Sequence, residues 1–233
     1  MTKVQDTGNP AAGGPGVRRR MKAERPQQIL EAAFEEFAAR GFAAARLDDI
    51  ARRVGVTKGT IYLYFPSKVE LFKAVVRTFT QPLLEEVEAA IEGHTGSKAK
   101  LLREQILQSY CETLDDTRER ELMRLLIAEG EKFPELTEFY HDEVMVPFER
   151  MSRAIIEAGI ATGEFRDSAL KEVPLMLFSP LVLHSVWALL FGDRHPIADK
   201  TFIAAHLDLI LNGVLQKPQD SDAAAPERAP AEA

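Results

Sequence analysis

The chain has 233 residues, 45% of them hydrophobic and 28% charged, with one cysteine. That is enough apolar material for one compact domain or two small ones, and it excludes a disordered polymer or a disulfide-stapled miniprotein. The net charge of −7 hides a division along the chain: residues 17–80 hold thirteen Lys or Arg against seven Asp or Glu, a net +6, whereas residues from Gln81 onward hold fifteen against twenty-eight, a net −13. A basic module on an acidic body is the electrostatic pattern of a phosphate-binding surface. No apolar run of a secretory signal opens the chain, so a reducing, cytoplasmic setting is expected.

Residues 1–17 and 217–233, rich in Ala, Gly and Pro, have little to bury and are expected to be a disordered arm and tail. Between them the periodicity is helical throughout, and an all-α fold is expected. Leu30, Ala33, Phe34 and Phe37 fall at i, i+3, i+4 and i+7, a first helix that stops at Arg40-Gly41. Leu47, Ile50, Ala51 and Val54 repeat the spacing over two turns before Gly55. Thr57 is a good N-cap for a third short helix, Lys58 to Tyr64, ended by Phe65-Pro66. Ser67 caps a fourth helix, with Glu70 at the capping-box position and a kink expected at Pro82. Further helices are expected over roughly 98–114, 118–132, 134–161, 168–191 and 199–215, with a break at Asp115-Asp116-Thr117.

Two short helices joined by a glycine turn, with a helix ahead of them, make a helix-turn-helix whose second helix is suited to the major groove. At 100° per residue, Ile61 and Phe65 share the side that anchors this helix. Gly59, Thr60, Tyr62 and Leu63 lie outward or on the flanks. A glycine there allows close backbone approach, hydroxyls can donate, and Leu63 can touch a thymine methyl. Lys58, and Lys68 at the head of the fourth helix, are candidate phosphate contacts.

The run from Leu47 to Phe72, Leu-Asp-Asp-Ile-Ala-Arg-Arg-Val-Gly-Val-Thr-Lys-Gly-Thr-Ile-Tyr-Leu-Tyr-Phe-Pro-Ser-Lys-Val-Glu-Leu-Phe, closely resembles the DNA-binding segment of the tetracycline-repressor-like (TetR/AcrR) transcription regulators. The run from Ile29 to Phe42 resembles that family's first helix. The resemblance implies an all-α homodimer on double-stranded DNA, with a helix-turn-helix domain at 18–66 and an effector and dimerisation domain at 67–216. It also implies repression at an inverted-repeat operator, relieved by a small apolar or aromatic ligand. Carried over residue by residue, its DNA contacts fall on Lys58, Gly59, Thr60, Tyr62, Tyr64 and Lys68, to which Thr57 is added as the cap of the same helix. Where relatives often have Ser or Thr, this chain has Arg46, whose charge can still reach a phosphate. An aromatic is frequent where Leu63 stands, so the operator need not be that of a relative.

The stretch Val173–Phe191 approaches membrane-spanning length, but Pro174, Pro180 and His184 interrupt it and its flanks lack a one-sided basic bias. No membrane is expected. The resemblance places a dimeric four-helix bundle on the last two helices, with Leu181, His184, Phe202, His206 and Leu209 as interface candidates. Tyr110, Met123, Phe139, Met145, Met151, Phe178 and Trp187 are candidates for lining an effector pocket. The run Leu125–Leu136 looks like a segment from one branch of the same family and names no ligand. No nucleophile elbow, zinc helix or phosphate loop is present, and Glu138-Phe-Tyr-His141 is a single Glu-x-x-His, so neither an enzyme nor a cofactor or metal is expected. The alternatives kept open are an activator or partner-controlled regulator of the same fold, a helical metal enzyme, and a peripheral membrane protein.

Overall fold

The computed structural model describes residues 15–115 and 117–216, and the side chains of 24–110, 118–192 and 194–216. The expected tail, most of the expected arm (1–14) and the centre of the break at Asp116 lie outside the described residues. Among the described residues ten α-helices follow in order: α1 (Pro15–Ala44), α2 (Leu47–Val54), α3 (Lys58–Tyr64), α4 (Lys68–Glu92), α5 (Lys98–Asp115), α6 (Thr117–Glu129), α7 (Pro134–Tyr140), α8 (Val146–Ala161), α9 (Ser179–Phe191) and α10 (Asp199–Val214). Among the described residues the β-structure is a lone bridge between Phe165 and Leu215.

Three expectations are corrected. Pro15–Val17, assigned to the arm, open α1 instead. The helix expected over 134–161 is interrupted by a π-helical turn at His141–Met145, followed by Pro147 near the start of α8. The helix expected from Ser168 starts as two 3₁₀ turns, Ala169–Lys171 and Pro174–Phe178, so that α9 has only thirteen residues. Prolines 174 and 180 lack the N–H groups that would close a continuous α-helical ladder there. The apolar span Pro174–Phe191 is long and apolar enough to cross a membrane, and about a quarter of it, 28%, is buried in the protein. At Pro82, in contrast, α4 runs on without a break.

The chain forms two compact units. Among the described residues, the first takes 15–83 together with 118–144, and the second takes 84–115, Thr117 and 145–216. Residues 118–144, expected in the C-terminal domain, thus join the unit that carries the helix-turn-helix. Its core is built from Ile29, Ala33, Phe37, Phe42, Ile50, Ile61, Leu71 and Phe72 with Leu122, Leu125, Leu136 and Phe139. Rings of Phe37, Phe42 and Phe72 meet pairwise at 5.5–5.7 Å, the tilted and edge-on spacing that aromatic quadrupoles favour. Arg77 of α4 forks onto Glu143, Nε to Oε2 at 2.8 Å and Nη2 to Oε1 at 2.5 Å, and lies over the Phe139 ring.

In the second unit Leu101, Leu102, Ile106 and Tyr110 of α5 pack with Ile155, Ile156, Phe165, Leu177, Phe178, Leu207 and Val214. The N-terminus of α5 is capped from a distance by Glu164, which accepts from Lys98 N (3.0 Å), Ala99 N (3.2 Å) and Ser97 Oγ (2.6 Å). These bonds are stronger to the charged form and push its carboxyl down to a pKa of about 2.

Candidate nucleic-acid interface

The reading head is assembled from local signals. Leu47, Ile50 and Ala51 turn α2 toward the core, and Gly55 ends it in the left-handed conformation at φ 72°. Thr57 stands extended as the N-cap of α3, its hydroxyl accepting from Thr60 N at 3.2 Å and lying 3.0 Å from the Thr60 hydroxyl. Ile61, fully buried, fastens α3, and Tyr64 and Phe65 lean on the same core. Two large apolar side chains of α3 point outward: Tyr62 is 45% exposed and Leu63 84%. Gly59 and Lys58 are exposed beside them. A Cβ at Gly59 would meet nothing nearer than Thr57 Oγ1 at 3.7 Å, so nothing inside the protein requires a glycine there.

The positive charges around α3 are partly committed within the chain. Lys58 Nζ sits 3.2 Å from Asp48 Oδ2, Arg52 Nη1 2.8 Å from Asp49 Oδ1, and Arg53 pairs with Glu35. Arg46 makes no such contact: it is exposed at the N-cap of α2 and forms no cap bond, so the missing hydroxyl is not replaced within the protein.

Lys68 corrects the reading made from sequence. Its ammonium donates to the carbonyls of Phe42 (2.7 Å), Ala43 (3.0 Å) and Ala45 (3.2 Å) and lies 4.7 Å from the Phe42 ring centroid. All three ammonium protons are used, and burial pushes the pKa down against the opposing pull of Glu129. Lys68 ties the start of α4 to the end of α1; it is not free for a phosphate.

The expected effector-pocket residues are divided between the two units. Met123 and Phe139 belong to the first unit, and Tyr110, Met145, Met151, Phe178 and Trp187 to the second. Tyr110, Phe139, Met151 and Phe178 are buried core, and Trp187 donates to the His195 carbonyl at 2.7 Å. None of the seven lines either of two open clefts, one bordered by Phe34, Ala38, Arg53 and Arg124, the other by Arg103, Ile203, Leu207 and Leu211.

The interface candidates differ in exposure, and the two histidines are buried within the protomer. His206, 3% exposed, is enclosed within its own unit, Nδ1 accepting from the Tyr110 hydroxyl and Nε2 donating to the Leu177 carbonyl, both at 2.8 Å. Burial pushes its pKa down, which keeps it neutral. His184 is also buried, 3.1 Å from Asp199 Oδ1, and Leu181 and Phe202 are half-buried against the same core. Of the five, only Leu209 is well exposed, at 66%. The outward apolar side chains that sequence reasoning missed are Val182, Leu183, Leu190 and Phe191 of α9. Leu183 and Leu190 are seven residues apart, and Val182 and Leu190, like Leu183 and Phe191, are eight apart, about two helical turns, so the sequence already places them on one broad side of a helix. Among the described residues no cluster of three His, Cys, Asp or Glu side chains stands ready for a metal.

Known proteins share this arrangement. Residues 29–75 match the family model described as "Bacterial regulatory proteins, tetR family", and residues 94–210 match "Tetracyclin repressor-like, C-terminal domain". The HTH-type transcriptional regulator YhgD of Bacillus subtilis is 28% identical over 191 residues, 81% of this chain and 95% of that one. The HTH-type transcriptional activator FasR of Mycolicibacterium smegmatis is 39% identical over 92 residues, a match spanning 40% of this chain and only 42% of that protein. The crystal structure of FadR from Bacillus subtilis in complex with stearoyl-CoA has the same fold, with a TM-score of 0.66 at 21% identity over 80% of this chain and 98% of that one. The helix-turn-helix and the helical body are thus matched by two models of one family over most of the described residues, and the chain belongs to the tetR family of transcriptional regulators.

Proposed function

We propose that this regulator acts in the cytoplasm as a homodimer on an inverted-repeat operator, as a repressor released by a small apolar ligand. The observation that carries the reading is the outward face of α3, where Gly59, Tyr62 and Leu63 are exposed beside the half-buried Thr60 on a segment of net positive charge. An exposed leucine costs solvation unless a partner covers it, and hydroxyls beside it suit base edges in a major groove. Arg46, Thr57, Lys58 and Tyr64 flank that face and serve phosphates and register. The apolar face of α9 with Leu209 of α10 supports self-association, and two heads related by a twofold axis require a site with dyad symmetry. The stearoyl-CoA bound to FadR supports an apolar effector.

Selection of duplexes from random sequence tests the reading: the recovered site has dyad symmetry, and Thr60→Ala or Leu63→Ala changes base preference by about 1–3 kcal/mol at one position of each half-site. A recovered site without symmetry overturns it. Fatty-acyl thioesters, screened by thermal shift and then by operator release, test the effector. Activation instead of repression is a second reading, favoured by the likeness to FasR over 92 residues. Transcription from a promoter carrying the selected site separates the two.

A further inference from the structure

α1 is broken at Gly41, and its last residues, Gly41 to Ala44, with Ala45 lead to the N-cap of α2 and are gripped from two other helices. Gly41 has φ +80° and ψ 165°, a conformation that side-chain-bearing residues rarely adopt. A Cβ there would fall 2.1 Å from Glu129 Oε1, so the carboxylate at the end of α6 fills the space a side chain would need. Glu129 Oε2 accepts from Ala43 N at 2.6 Å, a short charge-assisted bond across 86 residues of sequence. The Phe133 ring, four residues beyond Glu129, packs edge-on against Phe42 at 4.9 Å. Higher on α6, Arg124 Nη2 donates to the Ala38 carbonyl at 2.5 Å. From α4, Lys68 holds the carbonyls of Phe42, Ala43 and Ala45. The run Leu125–Leu136 thus meets the entrance of the helix-turn-helix.

We infer that Glu129 is a positioning residue for DNA reading: by holding the Ala43 amide it fixes the direction in which the chain enters α2, and so the angle at which α3 meets the groove. Because α2 has no side-chain cap of its own, the turn ahead of it sets its entry. Base contacts are short and directional and fail with a small rotation; attraction to phosphates is long-ranged and survives it. Loosening the grip therefore costs specificity more than affinity for DNA at large.

The test compares the best duplex recovered by selection with a random duplex of equal length, at a temperature where circular dichroism shows each variant folded. Glu129→Ala lowers affinity for the selected duplex by about tenfold, the equivalent of one charge-assisted hydrogen bond, and for the random duplex by less than about twofold. Equal loss on both, or loss on neither, overturns the inference. Should Glu129→Ala fail to fold, Glu129→Gln decides, since its neutral oxygen still accepts but more weakly. Exchange of the Ala43 amide then quickens severalfold and preference for the selected duplex falls in step. Quicker exchange with preference intact, or exchange unchanged, rules the role out.

Discussion

Two regions of this protein present large apolar side chains to solvent, and they do so in different company. On α3, Tyr62 and Leu63 stand among Thr57, Lys58, Gly59 and Thr60, so each apolar contact is bordered by a donor or a cation. On α9, Val182, Leu183, Leu190 and Phe191 are exposed on a helix without a charged side chain, and Leu209 of α10 is exposed as well. The first composition suits a polar, charged partner with a few methyl groups, the second a surface as apolar as itself. Exposure alone does not distinguish the two; what surrounds the exposed residue does.

The largest effect is expected where that contrast is erased. Leu190 is 61% exposed, so Leu190→Glu leaves the protomer folded. In a self-associating face it would bury an unpaired charge, at about 3–5 kcal/mol, enough to leave monomers and to lower operator affinity by a hundredfold or more. Sedimentation velocity with operator titration checks both. A variant that stays dimeric, or a monomer that binds the operator as well as before, assigns α9 another partner.

Lys68→Ala sharpens the account of the reading head. Three carbonyls lose one shared cation, and stability falls by about 1.5–3 kcal/mol, the range for hydrogen bonds to a charged group, while the salt dependence of DNA binding keeps its slope. Denaturant unfolding and binding at several salt concentrations decide it. Unchanged stability with a slope shallower by about one contact would return Lys68 to a phosphate.

This lysine also marks where the sequence ceases to be legible. Short-range chemistry was readable: Thr57 caps α3, Ser67 Oγ accepts from Glu70 N at 3.1 Å, Gly55 ends α2, and Ile61 points inward. Each rests on neighbours within four residues. Lys68 turns inward because the carbonyls of Phe42, Ala43 and Ala45, twenty-three to twenty-six residues earlier, converge on its ammonium, and Glu129 finds its amide only through the packing of α6. The buried histidines failed for a related reason. A histidine in an apolar helix face signals that a partner is needed, and here the partner, Tyr110, is a residue of the protomer's own α5. The pocket candidates were chosen by residue type, which does not tell a lining residue from a packed one.

His206 supplies a smaller effect, confined to the second region. Tyr110→Phe removes one buried hydrogen bond and costs about 1 kcal/mol. The neutral imidazole adds a pH dependence of definite sign. Its folded pKa lies below the 6.5 of the free side chain, so only the unfolded chain takes up a proton as pH falls through that value. Stability is therefore complete above about pH 6.5 and declines below it. His206→Gln, which has no titrating group, flattens this limb in denaturant titrations at pH 7.5 and 5.5. An unchanged limb would mean that His206 takes up its proton equally in the folded and unfolded chain and that other groups produce the pH dependence.

The smallest change returns to α3, where stability and reading are expected to move in opposite directions. Glycine inside a helix costs roughly 0.5–1 kcal/mol relative to alanine, because the unfolded chain has more freedom to lose. Gly59 offsets that cost with nothing inside the protein, since a methyl there meets only Thr57 Oγ1 at an ordinary 3.7 Å. Gly59→Ala should raise the unfolding midpoint by the equivalent of roughly 0.5–1 kcal/mol. The same methyl would stand between the α3 backbone and whatever approaches it, and affinity for the selected duplex should fall while binding to random DNA changes little. A variant both more stable and equally specific would show that the backbone of α3 keeps its distance from the bases, leaving recognition to Thr60, Tyr62 and Leu63 alone.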